Sequence, residues 1–329
     1  MNCPNCGNLI RNPLNFCPYC REPLSPLAPV VNINSRRTRP RGIFIKVFLV
    51  LFLSVTLFAL YKYRGQEALN YIDERLFKGT NTLQTDTRGT KSQSPLHPLN
   101  FIEPNTGIEF VFIKGGCYQQ GDIFNEGDSD ERPVHEACVG DFYIGKFEVT
   151  QDQWFKLMKK GADSAVRTKN IPMQGVSWKD AQAFLDALKK KSPEHKFRLP
   201  TEAEWEYVCR GGGKRQRYSG TSSEAEISRF AWTGINSQGT LQQSGTLKPN
   251  ELGIHDLSGS LWEWVEDDYK PDCYQKAEKN NPVCMGGVNR VIRGGSFLLS
   301  PQFARCTARG NAPPLSNSPS IGFRVLKDI

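Results

Sequence analysis

The segment Arg198-Leu-Pro-Thr-Glu-Ala-Glu-Trp-Glu-Tyr207 gives the clearest indication of structure in the sequence. The Thr201 hydroxyl and the Glu204 carboxylate are three residues apart, a spacing that lets each satisfy a free backbone amide where a helix begins. Trp205 and Val208 follow as large apolar side chains for a helix face to bury. The stretch therefore predicts a capped helix that packs into a core.

Two more helices and several short strands are predicted on either side of it. One helix opens at Ser177–Asp180 and has an apolar face, and another starts at Thr150. Short apolar segments bounded by Gly and Pro predict strands, namely Phe110–Ile113, Phe142–Ile144, Arg290–Ile292 and Gly322–Val325. The pattern indicates an α+β domain with many irregular loops.

The order of the motifs resembles the formylglycine-generating enzyme (sulfatase-modifying factor) family. The resemblance covers residues 101–329 and rests, beside the helix stretch, on Phe110–Gly116, Phe142–Thr150, Pro172–Trp178, Asn250–Asp256, Gly259–Trp264, Arg293–Ser296 and Gly322–Arg324. It implies a compact, loop-rich α+β fold related to C-type lectins. Trp178, Trp205, Trp262 and Trp264 are then expected to anchor the core.

The reactive centre implied by the resemblance is incomplete in this sequence. Oxidising members of the family carry two reactive cysteines shortly after the Arg293–Ser296 motif, where they bind copper(I) and use oxygen. Here Leu299 stands at the first of those positions, and the second has no counterpart. Leucine cannot bind copper(I), which prefers soft sulfur donors. Only Ser296 remains near that pocket, so copper and a catalytic residue are not expected.

The six cysteines of this region are expected to form disulfide bonds. The resemblance aligns Cys306 with a structural cysteine of the family, and its partner is then Cys209. Nearness along the chain suggests the other two pairs, Cys273 with Cys284 and Cys117 with Cys138. An alternative is that Cys117 or Cys138 is a new catalytic thiol.

A calcium site is implied by the same resemblance. Its ligands would be the Asp256 side chain, the carbonyl groups of Gly259 and Leu261, and the Glu263 carboxylate. Hard oxygen donors on a tight turn suit calcium. The alternative is that Glu263 accepts a hydrogen bond from a loop amide.

Residues 1–24 contain two CxxC pairs and are predicted to fold as a zinc ribbon. Cys3, Cys6, Cys17 and Cys20 supply four thiolates for one tetrahedral ion. Because four protein ligands close the coordination sphere, the zinc would be structural. A redox role for the CxxC pairs is the alternative, and the sequence names no partner for the ribbon.

An apolar segment at residues 42–61 is predicted to span a membrane, because about 20 residues are needed to cross a bilayer. A basic linker, 25–41, precedes it, and a juxtamembrane helix and spacer, 62–100, follow. Residues 1–64 contain nine Lys and Arg and one Glu, which accounts for the whole net charge of +8. The positive side stays in the cytoplasm, so we expect a bacterial inner-membrane protein whose C-terminal domain is periplasmic. Since the C-terminal region is neutral, nucleic acid is not an expected partner.

Together these features predict a membrane-anchored binding or accessory module. The exported domain would bind a peptide, a glycan or a protein in the groove that the family uses for substrate. The alternative is an oxidoreductase with relocated catalytic residues, acting on a peptide or small molecule. A third possibility is an envelope protein that signals between the two compartments.

Overall fold

The computed structural model describes residues 100–158 and 170–329. The predicted zinc ribbon, linker and membrane span, with residues 62–99, lie outside the described residues. Within the described ranges, no helix combines the length and the apolar character that a membrane crossing requires.

In the described ranges, three α-helices are found at the predicted places: α1 at Gln151–Met158, α2 at Trp178–Lys191 and α3 at Glu202–Cys209. The side chain of Thr201 accepts a hydrogen bond from the Glu204 amide at 3.2 Å, and the Glu204 carboxylate accepts one from the Thr201 amide at 2.8 Å. Ser177 and Asp180 form the same reciprocal cap on α2. Both caps confirm the predicted helix starts.

The strands are short. They are β1 Asn100–Ile102, β2 Glu109–Ile113, β3 Gly116–Gln120, β4 His135–Val139, β5 Phe142–Gly145, β6 Phe197–Arg198, β7 Trp262–Asp268, β8 Arg290–Arg293, β9 Arg309–Ala312, β10 Ile321–Gly322 and β11 Leu326–Asp328. One sheet has the order β1-β2-β5-β11-β6, a second has the order β10-β7-β8-β9, and β3 pairs with β4. This mixture of short strands and three helices agrees with the predicted α+β fold.

The predicted strand Gly322–Val325 is wrong as a single element. The chain leaves β10 in the four-stranded sheet and enters β11 in the five-stranded sheet, so residues 323–325 cross between the two sheets. Their carbonyl groups accept hydrogen bonds from loop amides, for example Phe323 from Val149 at 2.9 Å. The apolar residues are buried as expected, but they pack as a crossover.

Two large apolar clusters form most of the core of the described residues, beside a small third one around Tyr218. The first joins the apolar face of α2 to Trp262, Trp264 and Phe323, and the second packs α3 against strands of both large sheets. All eight residues of α3 are buried, whereas Trp178 is only partly buried and stacks on the Arg290 guanidinium. Helix α3, which the capping motif predicted, therefore lies in the centre of the core.

Three disulfide bonds join the six cysteines of the described residues in the predicted pairs, Cys117–Cys138, Cys209–Cys306 and Cys273–Cys284. The second bond ties the end of α3 to the segment before β9. The third closes a loop of the chain between β7 and β8. No thiol is left free in the described part of the chain.

Candidate functional site

The Arg293–Ser296 motif forms a turn at the end of β8. Gly294 and Gly295 have φ angles of 100° and 74°, which side chains rarely allow. A Cβ atom on Gly295 would lie 2.7 Å from the carbonyl oxygen of Phe303. The turn therefore needs glycine at this point because the backbone of residues 301–304 passes against it.

Arg293 fixes the turn to the rest of the domain. Its side chain is fully buried, and Nη2 donates to the Glu206 carboxylate at 2.6 Å and to the Cys306 carbonyl at 2.7 Å. Nη1 donates to the carbonyl groups of Thr307 and Ala308. One guanidinium thus connects β8, α3 and the disulfide-bonded segment.

The position expected for a reactive cysteine is apolar and closed. Leu299 is 4% exposed and packs in the first core cluster, and its carbonyl accepts from the Gly234 amide at 2.7 Å. Ser296 is buried beside it, and its hydroxyl lies 3.4 Å from the Leu298 amide. Because all six cysteines of the described residues are in disulfide bonds, these residues offer no thiolate for copper(I). The ligands present do not fit that metal.

A surface cleft with a volume of about 390 Å³ begins one residue after Leu299. Four residues after the turn line one side of it: Ser300, Pro301, Gln302 and Arg305. The other lining residues come from earlier loops: Glu126, Arg217, Tyr218 and Glu224. The cleft is therefore built where the family's reactive segment would be.

The cleft is polar, and most of its charges are paired. Arg217 binds Glu126 at 2.6 Å, yet its Nε is buried and has no hydrogen-bond partner within the described residues. Arg305 binds both oxygens of Glu131 at 2.8 Å. Burial raises the pKa of Tyr218 to about 12, so its hydroxyl stays protonated at neutral pH. Such a surface can donate to and accept from a polar ligand.

The residues of the predicted calcium site lie near one another but have other partners. Glu263 is fully buried and accepts from Arg324 at 2.6 and 2.7 Å and from Trp205 Nε1 at 2.8 Å. Asp256 accepts from the Gly245 amide at 2.7 Å, while its Oδ1 is buried without a partner among the described residues. Of the two predicted carboxylate ligands, Asp256 keeps an oxygen without a partner in the described residues, and Glu263 is fully engaged.

Sequence reasoning missed Glu148, which faces the same group of residues. It accepts from the Leu261 amide at 2.9 Å and the Ser260 hydroxyl at 2.8 Å. The alternative interpretation was that Glu263 accepts a hydrogen bond from a loop amide. The Leu261 amide donates to Glu148 instead. Glu148 lies within the Phe142–Thr150 motif, but nothing in that motif alone tells that its carboxylate points inward.

Burial and mutual repulsion disfavour the ionised carboxylates of this group. Burial, followed by the charges of Glu263 and Asp256, raises the pKa of Glu148 well above its usual value. Burial also raises the pKa of Asp256 to about 6. Since Arg324 already balances Glu263, this carboxylate is a poor calcium ligand here, whereas Asp256 keeps one oxygen without a partner among the described residues. The calcium site stays a prediction.

Residues 99–329 match the family described as "Sulfatase-modifying factor enzyme 1-like domain". The formylglycine-generating enzyme of Streptomyces coelicolor is 28% identical over 285 residues, which covers 66% of this chain and 88% of that enzyme. The serine/threonine-protein kinase pkn1 of Chlamydia pneumoniae is 28% identical over 249 residues, which covers 67% of this chain. The chain spans 38% of that kinase's length.

A solved structure has the same fold. Treponema denticola variable protein 1 superposes with a TM-score of 0.62 at 26% identity, covering 71% of this chain and 100% of that chain. The family match, over residues 99–329, includes the turn, the cleft and the buried carboxylates. It supports the loop-rich fold that the motifs imply.

Proposed function

Since this chain belongs to the sulfatase-modifying factor enzyme 1-like family, we propose that its C-terminal domain keeps the family's fold as a binding module and does not oxidise cysteine. One observation carries the proposal: Leu299, buried in the core, takes the place where a copper-binding thiol is expected. The disulfide bonds leave the described residues no other thiol. A coordination site for copper(I) cannot be assembled from them.

The ligand we propose is a peptide segment of a partner protein, bound in the cleft beside residues 300–305. The unpartnered Nε of Arg217 favours a ligand with an acceptor, such as a carboxylate or a backbone carbonyl. Glu126 and Glu224 provide acceptors on the same surface for backbone amides. A neutral glycan offers hydroxyl groups but no charge for Arg217, which makes it the less favoured ligand.

The binding proposal is tested with the purified full chain on an array of random peptides. We expect a set of peptides with acidic side chains to bind, and Arg217→Gln to weaken them about tenfold or more. Arg229→Gln is the matched control, because Arg229 is exposed and pairs with Glu226 outside the cleft. Equal losses of peptide affinity in Arg217→Gln and Arg229→Gln would mean that the peptides are attracted to positive charge in general and are not bound in the cleft.

The proposed lack of cysteine oxidation is tested by a separate assay. Copper(I) titration and oxygen uptake with a cysteine-containing peptide should give no tight binding and no turnover. Tight copper(I) binding or turnover of the cysteine-containing peptide would refute the proposal, whichever peptides of the array bind. The alternative with relocated chemistry invoked Cys117 or Cys138, and it loses support because these two cysteines are bonded to each other.

We further propose that residues 42–61 anchor the protein in a bacterial inner membrane with the binding domain in the periplasm. The support is the charge asymmetry across this apolar segment. Alkaline phosphatase fused after residue 99 should be active, and the same enzyme fused before residue 42 should be inactive. The reverse pattern would contradict this orientation.

The zinc ribbon remains part of the proposal. Purified chain should contain one zinc ion, which the double substitution Cys3→Ser and Cys6→Ser removes, because tetrahedral binding needs all four thiolates. Zinc retained by that variant would speak against the predicted ligands, including Cys17 and Cys20.

A further inference from the structure

A second cavity, of about 360 Å³, lies beside the Cys273–Cys284 disulfide bond. Its walls are the loop from Lys270 to Met285, the first turn of α3 and two residues of the β3–β4 hairpin, Gln120 and His135. None of its lining residues belongs to the cleft next to the Arg293–Ser296 turn. The volume is in the range of sites for small ligands.

Asp267 lines this cavity as a buried carboxylate without a cationic partner. It is 3% exposed, and its oxygens accept from the amides of Glu202 and Cys284, each at 2.7 Å. No Lys or Arg of the described ranges forms an ion pair with it. Glu202, the other buried carboxylate of the lining, is held by Arg309 at 2.7 and 2.9 Å. The cavity therefore contains one buried carboxyl group that no Lys or Arg of the described residues balances.

His135 presents a second acceptor to the same cavity. Its Nδ1 lies 3.1 Å from the Pro133 carbonyl oxygen, which can only accept, so Nδ1 carries the proton in the neutral ring. Nε2 is then a bare acceptor, and it is buried without a hydrogen-bond partner in the described part of the chain. The ring packs on Tyr274 with centroids 4.8 Å apart, which fixes its position.

Apolar side chains form the outer part of the lining. Pro282 is buried, and Val283 and Met285 are 43% and 61% exposed. Two lysines, Lys270 and Lys276, also line the cavity, and Lys276 is paired with Asp272. A ligand that enters therefore meets an aliphatic rim first and hydrogen-bond acceptors deeper inside.

We propose that this cavity binds a primary ammonium group on an aliphatic stem, with Asp267 as its counter-ion and His135 Nε2 as a second acceptor. An ammonium group carries a positive charge and three hydrogen-bond donors. The charge complements Asp267, which has no cationic partner in the described residues. One of the donors complements His135 Nε2, which has no hydrogen-bond partner there. The stem packs on Val283 and Met285. A lysine side chain of a peptide and a free diamine share this chemistry.

Calorimetric titration of the full chain with Nα-acetyl-lysine amide and with 1,5-diaminopentane tests the proposal and distinguishes the two sources. We expect at least one of them to bind with a Kd of about 1 mM, as suits ligands of this size. Nα-acetyl-norleucine amide, which keeps the aliphatic stem and lacks the ammonium group, should bind about tenfold more weakly or not at all. Failure of both amines to bind, or equal binding of the norleucine compound, would overturn the proposal.

Two variants locate the site. Asp267→Asn should weaken amine binding tenfold or more, and His135→Phe, which keeps a ring against Tyr274, should weaken it several-fold. Glu278→Gln is the matched control, because it removes an exposed carboxylate from the same lining and should change the Kd less than twofold. Thermal unfolding of each variant verifies that it is folded. Loss of binding in Glu278→Gln equal to that in Asp267→Asn would show diffuse attraction and reject the site.

Discussion

Leu299 differs in volume and in chemistry from the reactive cysteine that the family resemblance places at this position. Its side chain fills core space beside the turn, and its carbonyl fixes the loop at Gly234. A thiol at this point would be surrounded by apolar atoms and would have no second thiol as a partner. Restoring one cysteine should therefore not restore a metal site.

Leu299→Cys is expected to cost about 2 kcal/mol in the free energy of unfolding, since it removes buried carbon atoms from the core. The new thiol should react with a thiol reagent only after unfolding. Leu298→Cys is the control, because Leu298 is 37% exposed and its thiol should react in the native protein. Rapid native reaction of Cys at position 299, or tight copper(I) binding, would contradict the closed site described here.

Asp256 decides whether the predicted calcium site exists. In the presence of EGTA, Asp256→Asn should raise the free energy of unfolding by about 1–3 kcal/mol, because it removes a buried charge whose pKa is raised to about 6. Any stabilisation of the wild type by calcium should disappear in the variant. If calcium stabilises both proteins equally, the ion binds elsewhere and Asp256 is not its ligand.

Among the elements, the helices were predictable because their signals are local. At Ser177 and at Thr201, the capping side chain pairs with a residue three positions later, so both partners of each cap can be read from a short segment of sequence. The crossover after Gly322 was not predictable, because its backbone bonds go to loops distant in the sequence. The cleft was missed for the same reason: Arg217 follows a short basic stretch without a motif, and only the fold brings it to the segment after Leu299.

The disulfide bonds connect elements over very different distances along the chain. Cys209 and Cys306 are 97 residues apart, and Cys273 and Cys284 are 11 residues apart. In the loop-closure treatment, the long bond contributes about 5 kcal/mol and the short bond about 3 kcal/mol to the free energy of unfolding.

Replacing each pair by alanine and measuring unfolding in urea should therefore show the larger loss for Cys209 and Cys306. The buried position of both side chains at the end of α3 adds to this loss. If the Cys273–Cys284 variant were the less stable one, the loop between β7 and β8 would have a greater part in the core than its contacts indicate.

Across the whole domain, buried arginines pair with buried carboxylates of distant segments: Arg293 with Glu206, Arg305 with Glu131, Arg309 with Glu202, and Arg324 with Glu263. Removing one partner of such a pair leaves a buried charge, which destabilises a protein strongly, although the intact pair itself adds little. These pairs determine how loops with little regular structure are arranged. The net charge of the chain, by contrast, resides in residues 1–64.

The balance of buried charges predicts how the stability of the whole protein depends on pH. Burial raises the pKa of Asp267 to about 7, so the folded protein binds a proton that the unfolded chain releases near pH 4. The free energy of unfolding should fall as the pH rises from 4 to 7, by at most about 4 kcal/mol from this group. Hydrogen bonds and nearby arginines lower the pKa values of Glu103, Asp122 and Glu202, and their contribution is lost as the pH falls below about 4.

Unfolding in urea should consequently show greater stability at pH 5 than at pH 8. Asp267→Asn should flatten this dependence, because it keeps an acceptor for one of the two amides and has no proton to release. Glu278→Gln, at an exposed position of the same cavity, should leave the wild-type profile intact. An Asp267→Asn profile as steep as the wild-type profile would mean that other buried groups, such as Glu148 and Asp256, produce the dependence and that Asp267 does not.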